Sequence, residues 1–190
     1  MMLKELITKC RSYRRFYEDH RIDEATLLDL VELARRSASG ANKQPLKFIL
    51  SCTREKNDLI FSCCQWAGYL TDWDGPVPGE RPSAYIIILG DTQVSQGTGC
   101  DQGIAAQSML LGAVEKGLGG CMIGSVKRDD LRKALAIPER YQVVLVVALG
   151  KPKEEVVLET TGPEGDIKYY RDANGVHHVP KRPLDDLIVG

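Results

Sequence analysis

With 190 residues the chain is long enough for one well-buried core and too short for two ordinary domains, so residues 1–190 are read as a single domain. Hydrophobic residues make up 43% and charged residues 27%, and 25 Lys+Arg against 26 Asp+Glu leave a formal charge of -1, which excludes a global field drawing the chain to nucleic acid or an anionic membrane. No apolar run approaches the roughly 20 residues that cross a bilayer, and MMLKELITKCRSYRRF lacks an apolar signal core with a small-residue cleavage site, so the expected location is the cytoplasm and the expected partner a small molecule.

The first periodic segment opens at Asp23, an N-cap followed by Glu24, and carries Leu27, Leu28, Leu30, Val31, Leu33 and Ala34 to Arg35 and Arg36. A turn-prone SASGANKQP separates it from a short buried strand at 48–52. Helical spacing returns over 56–70. Within it Trp66, Tyr69, Leu70 and Trp73 recur at i, i+3, i+4 and i+7 as one aromatic face, which reads either as core packing or as a substrate-side wall or lid. Residues 72–82, with three prolines and two glycines, form a stiff loop, and 85–89 a strand. Residues 100–116 have the small and apolar character of a deeply packed helix stopped by Gly117, Gly119 and Gly120. A short helix at 126–136 is closed by Pro138, and the Val-rich run 141–149 is a central strand. Alternating helices and strands favour a sheet covered by helices.

The tail is different, because GPEGDIKYYRDANGVHHVPKRPLDDLIVG holds no long periodic helix. Asp172-Ala173-Asn174-Gly175 between IKYYR and VHHV predicts a hairpin, with Asn-Gly taking the positive φ values of the turn. Tyrosines, paired strands and terminal apolar residues need a surface to rest on, which a second protomer supplies. His177 and His178 are adjacent, so on a strand they face opposite ways and do not chelate one metal; a surface or interface role is expected. Six scattered cysteines without a CxxC pair give no metal pattern and read as reduced, mostly buried thiols.

Two clusters have the chemistry of a polar ligand site. Arg11-Ser12-Tyr13-Arg14-Arg15-Phe16 offers planar guanidinium donors and a hydroxyl that match phosphate oxygens, or a basic turn paired with Glu18 and Asp19. Ser39-Gly40-Ala41-Asn42-Lys43-Gln44-Pro45 combines small residues, which let backbone approach a ligand, with amides that bond a polar ring edge, or it is only a connector.

In this order and spacing, RS-x-R followed by S-x-x-N-x-Q-P resembles the nitroreductase family of flavoproteins. GLGGCMIGS at 117–125 is similar to that family's GLG-x-C-x-IG segment, and Lys181-Arg182-Pro183-Leu184 to its basic-basic-Pro-Leu ending. The resemblance implies an α+β fold with a central, mostly antiparallel sheet flanked by helices. It also implies a homodimer in which the C-terminal extension, 160–190, wraps the partner subunit. It implies FMN at the dimer interface, reduced by NADH or NADPH and reoxidised by an electron-poor acceptor such as a nitroaromatic or a quinone. By the same resemblance Arg11, Ser12 and Arg14 reach the flavin phosphate and nearby oxygens, and Lys181 and Arg182 the phosphate. Ser39, Gly40, Asn42 and Gln44 reach the ribityl chain and pyrimidine edge from the other subunit, and Ile123, Gly124 and Ser125 pass the central ring. Trp66, Tyr69 and Trp73 are the substrate-side candidates. Two positions depart from the pattern: Cys10 replaces a basic residue before Arg11, and Leu46 replaces a Trp after Gln44-Pro45.

Flavin chemistry needs reactants placed against a ring face, not a nucleophile, so no residue is assigned as a catalytic acid, base or nucleophile; Cys121 is read as packing. A Rossmann reading of 85–103 fails on spacing, since Gly97-Thr98-Gly99 lies far from the strand end and Gly103 is one residue late. The rival functions are a flavin sensor or carrier without turnover, and related flavin reductases of enones or halophenols.

Overall fold

The computed structural model describes residues 2–162 and 165–190. In chain order the elements are α1 (Leu3–Lys9), β1 (Phe16–Tyr17), α2 (Glu24–Arg36), β2 (Leu46–Ser51), α3 (Arg54–Cys63), β3 (Ala84–Asp91), α4 (Asp101–Glu115), β4 (Gly119–Ile123), α5 (Arg128–Ala134), β5 (Tyr141–Pro152), β6 (Val156–Thr160), β7 (Tyr170–Arg171) and β8 (His177–Lys181). β5 is the axis of a five-stranded antiparallel sheet. On one side lies β3 with β2 beyond it; on the other, β4 pairs with the middle of β5 and β1 with its end.

Strand alternation explains why β3 reads as an unbroken apolar run: both of its faces are covered. Ala84, Ile86 and Ile88 pack with Val147 and Leu149 against Leu27 and Leu30 of α2 and Met109 and Ala113 of α4. Tyr85, Ile87 and Leu89 pack with Val146 and Ala148 against Ile60 of α3 and Leu131 of α5. Each fully buried aliphatic side chain contributes about 1.5–3 kcal/mol. The fold is thus α+β, as the resemblance implied. α2 begins at its expected cap, with the Asp23 carboxylate accepting the Thr26 N–H at 2.8 Å. No helix among the described residues is long and apolar enough to cross a membrane.

The helix expected over 56–70 ends at Cys63, and the reason is competition from a distant strand. Cys64 pairs with Val126, the Gln65 N–H donates to Ser125 O at 2.9 Å and the Lys127 N–H to Cys63 O at 2.9 Å, so the backbone leaves the helix for the segment after β4. Trp66, Tyr69 and Trp73 therefore do not share a helical face. They stand on an irregular segment that runs on through 72–82 to β3.

The hairpin in the tail is present, with β7 antiparallel to β8, and β6 joins β8 in parallel to make a second sheet. Its turn is wider than expected. The Asp172 carboxylate accepts the N–H groups of Asn174 and Val176 at 3.0 and 2.8 Å, and only Gly175 takes a positive φ, 79°, so Asn174 does not. His177 and His178 do face opposite ways, but His177 is buried, not on the surface. Of the cysteines, Cys10, Cys63 and Cys121 are buried and Cys100 is exposed.

Candidate functional site

A cavity of about 580 Å³ opens where β4 ends beside the irregular 64–74 segment. Arg14, Trp66, Trp73, Ile123, Gly124, Ser125 and Tyr169 line it. The N-terminal basic segment reaches it because Ser12 bridges to Gly120 and the Tyr13 N–H donates to Gly120 O at 3.0 Å. That close approach explains Gly119 of the 117–125 motif, where a Cβ would stand 2.5 Å from the Tyr13 ring, while at Gly120 a Cβ would stand 2.4 Å from Ala148 O of β5.

Arg14 is the charged centre of the wall. Its Nη1 lies 3.2 Å from His177 Nε2 and 3.2 Å from Ser12 O, and its guanidinium sits 4.7 Å from the Tyr169 ring centroid. Burial, with the cations of Arg14 and Arg171 nearby, pushes the His177 pKa down to about 4. The imidazole is therefore neutral near pH 7, and Nε2 accepts from Arg14. Arg171 stacks 4.2 Å over Trp73, and its Nη2 donates to Glu154 at 2.9 Å. The expected alternative, a basic turn paired with Glu18 and Asp19, does not form. Arg15 pairs instead with Glu80 at 2.5 Å, and Glu18 accepts backbone N–H groups of Gly79 and Arg81.

Cys64 and Cys121 also line the cavity. Burial pushes the Cys64 thiol up to about 12 and raises that of Cys121, so neither is a thiolate at neutral pH. Trp66 Nε1, in the cavity wall, is buried without a protein partner, as are Arg171 Nε and His177 Nδ1 in the residues that contact Trp73 and Arg14, and Arg11 Nε on the N-terminal segment. The site is therefore a partly aromatic cleft with one cationic side chain, Arg14, one acidic one, Asp74, and no thiolate, a lining suited to binding a small polar molecule.

The 39–44 loop stands elsewhere, at a second cavity of about 500 Å³ that Ser39, Gly40, Thr98 and Asp101 help to line. Asp101, the buried first residue of α4, organises it. Ser39 Oγ donates to Asp101 Oδ2 at 2.6 Å, the Gly40 N–H to Oδ1 at 2.9 Å, and the Gln44 N–H to Ser39 Oγ at 2.9 Å. Ala41, Asn42 and Gln44 have φ of 49°, 52° and 53°, a conformation costing non-glycine residues about 1–3 kcal/mol each that persists only where surroundings enforce it. The Asn42 and Gln44 side chains are exposed.

Of the residues singled out in the sequence, the fold thus brings Arg14, Ile123, Gly124, Ser125, Trp66 and Trp73 to a single cavity. Arg11 and Ser12 adjoin it on the same segment; Arg11 Nη2 donates to Ile7 O at 2.7 Å. Tyr69 is half-exposed and packs on Tyr169, with ring centroids 5.0 Å apart. Ser39, Gly40, Asn42 and Gln44 are not in this cavity, and Lys181 and Arg182, exposed at and just beyond the end of β8, line neither cavity. Sequence reasoning missed Asp101, Glu154, Tyr169 and a buried His177. Only Asp101 left a trace, as the acidic residue opening a helix.

The Nitroreductase family model matches residues 7–67 and 82–151, and the chain belongs to that family. The unmatched 68–81 is the segment that carries Trp73 over the cavity. An Archaeoglobus fulgidus protein named among the NADH dehydrogenase/NAD(P)H nitroreductases is 28% identical over 149 residues, which cover 74% of this chain and 80% of that protein. The solved structure of an FMN-dependent nitroreductase from Clostridium difficile has a TM-score of 0.65 and 22% identity, covering 80% of this chain and 89% of that one. A nitroreductase family protein from another Clostridium difficile strain reaches a TM-score of 0.70 at 19% identity, covering 100% of this chain and 98% of that one. The four-motif resemblance is thereby borne out for the family, and the two structural likenesses extend that agreement to the fold.

Proposed function

We propose that the protein is an FMN-dependent oxidoreductase that passes hydride from NADH or NADPH through the flavin to an electron-poor acceptor, a nitroaromatic or a quinone. The observation that carries this reading is the cavity in which the Arg14 guanidinium, the strand-end backbone of 123–125 and two tryptophans meet in a member of this family. Its volume lies within the roughly 300–1,000 Å³ of small-molecule sites, and the Arg14 guanidinium with the orphaned Trp66 Nε1 fits a ligand that carries acceptor oxygens. The names of the Archaeoglobus and Clostridium proteins support the nicotinamide donor and the flavin respectively.

FMN, when bound, supplies a ring that takes up hydride and passes it on. The chain's own residues hold and orient it. Arg14, with Arg11 and Ser12, binds the phosphate and nearby oxygens, and Lys181 and Arg182, which stand outside the cavity in this structure, reach the phosphate from the exposed end of β8. The backbone of Ile123, Gly124 and Ser125 runs beside the ring. Trp66 and Trp73, with Tyr69 at the rim, form the wall that orders the acceptor and keeps water out. No thiolate is required, in keeping with the raised pKa values of Cys64 and Cys121.

Ser39, Gly40, Asn42 and Gln44 serve the flavin of a partner subunit in this reading, which accounts for their separation from Arg14 within one protomer. The exposed Leu28, Leu33 and Ile104 on α2 and α4 offer a second copy an apolar face, and Leu184, Leu187, Ile188 and Val189 give the tail apolar residues to lay on it. We read the chain as one cytoplasmic domain with 160–190 as a partner-wrapping extension. The rival reading, a flavin carrier without turnover, is separated by anaerobic addition of NADH or NADPH. Bleaching of the bound flavin followed by recovery with a quinone is expected, and a flavin that stays oxidised would contradict the proposal. Parallel assays with enones and halophenols test the neighbouring reductase activities.

A further inference from the structure

Glu154 stands outside every motif of the resemblance, just after β5, yet its side chain has no exposed surface. Its carboxylate accepts three protein donors: the backbone N–H of Arg14, the backbone N–H of Arg15 at 3.1 Å, and Nη2 of Arg171 at 2.9 Å. A buried carboxylate is costly without such partners, and bonds to a charged acceptor are stronger than neutral ones. The first two donors belong to the segment after Ser12 and the third to β7, so one buried group ties the N-terminal basic segment to the C-terminal hairpin. The hairpin then holds the other end of Arg14. His177 Nε2 lies 3.2 Å from its Nη1, and the Tyr169 ring lies under its guanidinium. Glu154 fixes the backbone from which Arg14 projects, while the strand that Glu154 anchors through Arg171 leads into the turn that presents His177.

We propose that Glu154 is a positioning residue that presets Arg14 for the flavin phosphate and thereby sets the preference of the site for FMN over riboflavin. The inference rests on the FMN reading above. Two effects oppose one another at this carboxylate. Its negative charge repels a phosphate, whereas its bonds aim a guanidinium at one. Arg171 and two N–H dipoles offset the charge locally, so orientation is the larger effect.

The test titrates flavin-stripped wild type and Glu154→Gln with FMN and with riboflavin, following the flavin fluorescence. Glutamine keeps the size and one acceptor oxygen but turns an NH2 group towards donors. FMN affinity is expected to fall by about ten- to a hundredfold, the range for a hydrogen bond to a charged group, with riboflavin affinity unchanged. Equal weakening of both flavins would mark a merely structural role, and tighter FMN binding would mean that charge repulsion dominates; either result overturns the inference. If Glu154→Gln does not fold, Arg171→Gln leaves the two backbone bonds in place and is expected to shift the same ratio in the same direction by a smaller factor; an unchanged ratio would overturn it. A wild type that binds neither flavin overturns the FMN reading and this inference together. Normal wild-type binding with an unaltered ratio in the variants overturns the inference alone.

Discussion

β3 buries all eight of its residues, whereas β6 buries none and β8 only His177. The larger sheet is held by apolar burial on both faces. The smaller one is held by pairs of polar and aromatic groups: Arg171 with Glu154, His178 with Glu159 and Asp172, and Tyr170 stacked on His178 at 4.7 Å between ring centroids. The difference teaches where the site lies and why. The cavity is at the seam, with Ile123 contributed by the end of the large sheet, Gly124 and Ser125 by the turn just beyond it, and Tyr169 by the segment leading into the polar one.

The contrast can be broken most strongly in the large sheet. Leu149→Ala is expected to cost about 2–5 kcal/mol, because a fully buried leucine between α2, α4 and the sheet leaves a cavity; chemical denaturation measures it. A smaller and pH-dependent effect is expected from His177, whose folded pKa of about 4 lies below its ordinary 6.5. Between those values the unfolded chain binds a proton that the folded one refuses. The contribution is therefore complete above pH 6.5 and lost as the pH falls towards 4. His178, raised by its bond to Glu159, works in the opposite sense, so the wild type must be compared with His177→Gln. The wild type should lose stability more steeply over this range, and equal slopes would contradict the account. Smallest is Asp172→Ala in the turn of the small sheet. It should cost about 0.5–1.5 kcal/mol and speed hydrogen exchange at β7 and β8 while leaving β3 protected. Faster exchange in β3 would show that the two sheets open together.

The same contrast governs what the sequence discloses. β2, β3, β5, α2 and α4 are legible because burial on one or two faces writes a period into the chain. The end of α3 is not. Helical spacing continues through Trp66 and Leu70, but Ser125 and Lys127, some sixty residues on, capture the backbone at Cys63 and Gln65. α1 has only seven residues and β1 only two, too short for a periodic signal. Arg14 and 123–125 are legible as motifs of the family, since a guanidinium in the wall and a close backbone approach demand particular residue types. Glu154, Tyr169 and His177 are not. An isolated polar residue acquires its role from a partner in a distant segment, and nothing local distinguishes Glu154 from the exposed Glu155 beside it.

The most direct measurement is the flavin content of purified wild type and of Arg14→Gln after extensive dialysis, read from the visible spectrum with the released flavin identified. The account predicts a yellow wild type with stoichiometric FMN and a variant that has lost most of it while keeping its fold by circular dichroism. A wild type that neither retains nor takes up FMN, or a variant that holds it as tightly, would contradict the placement of the flavin phosphate at Arg14.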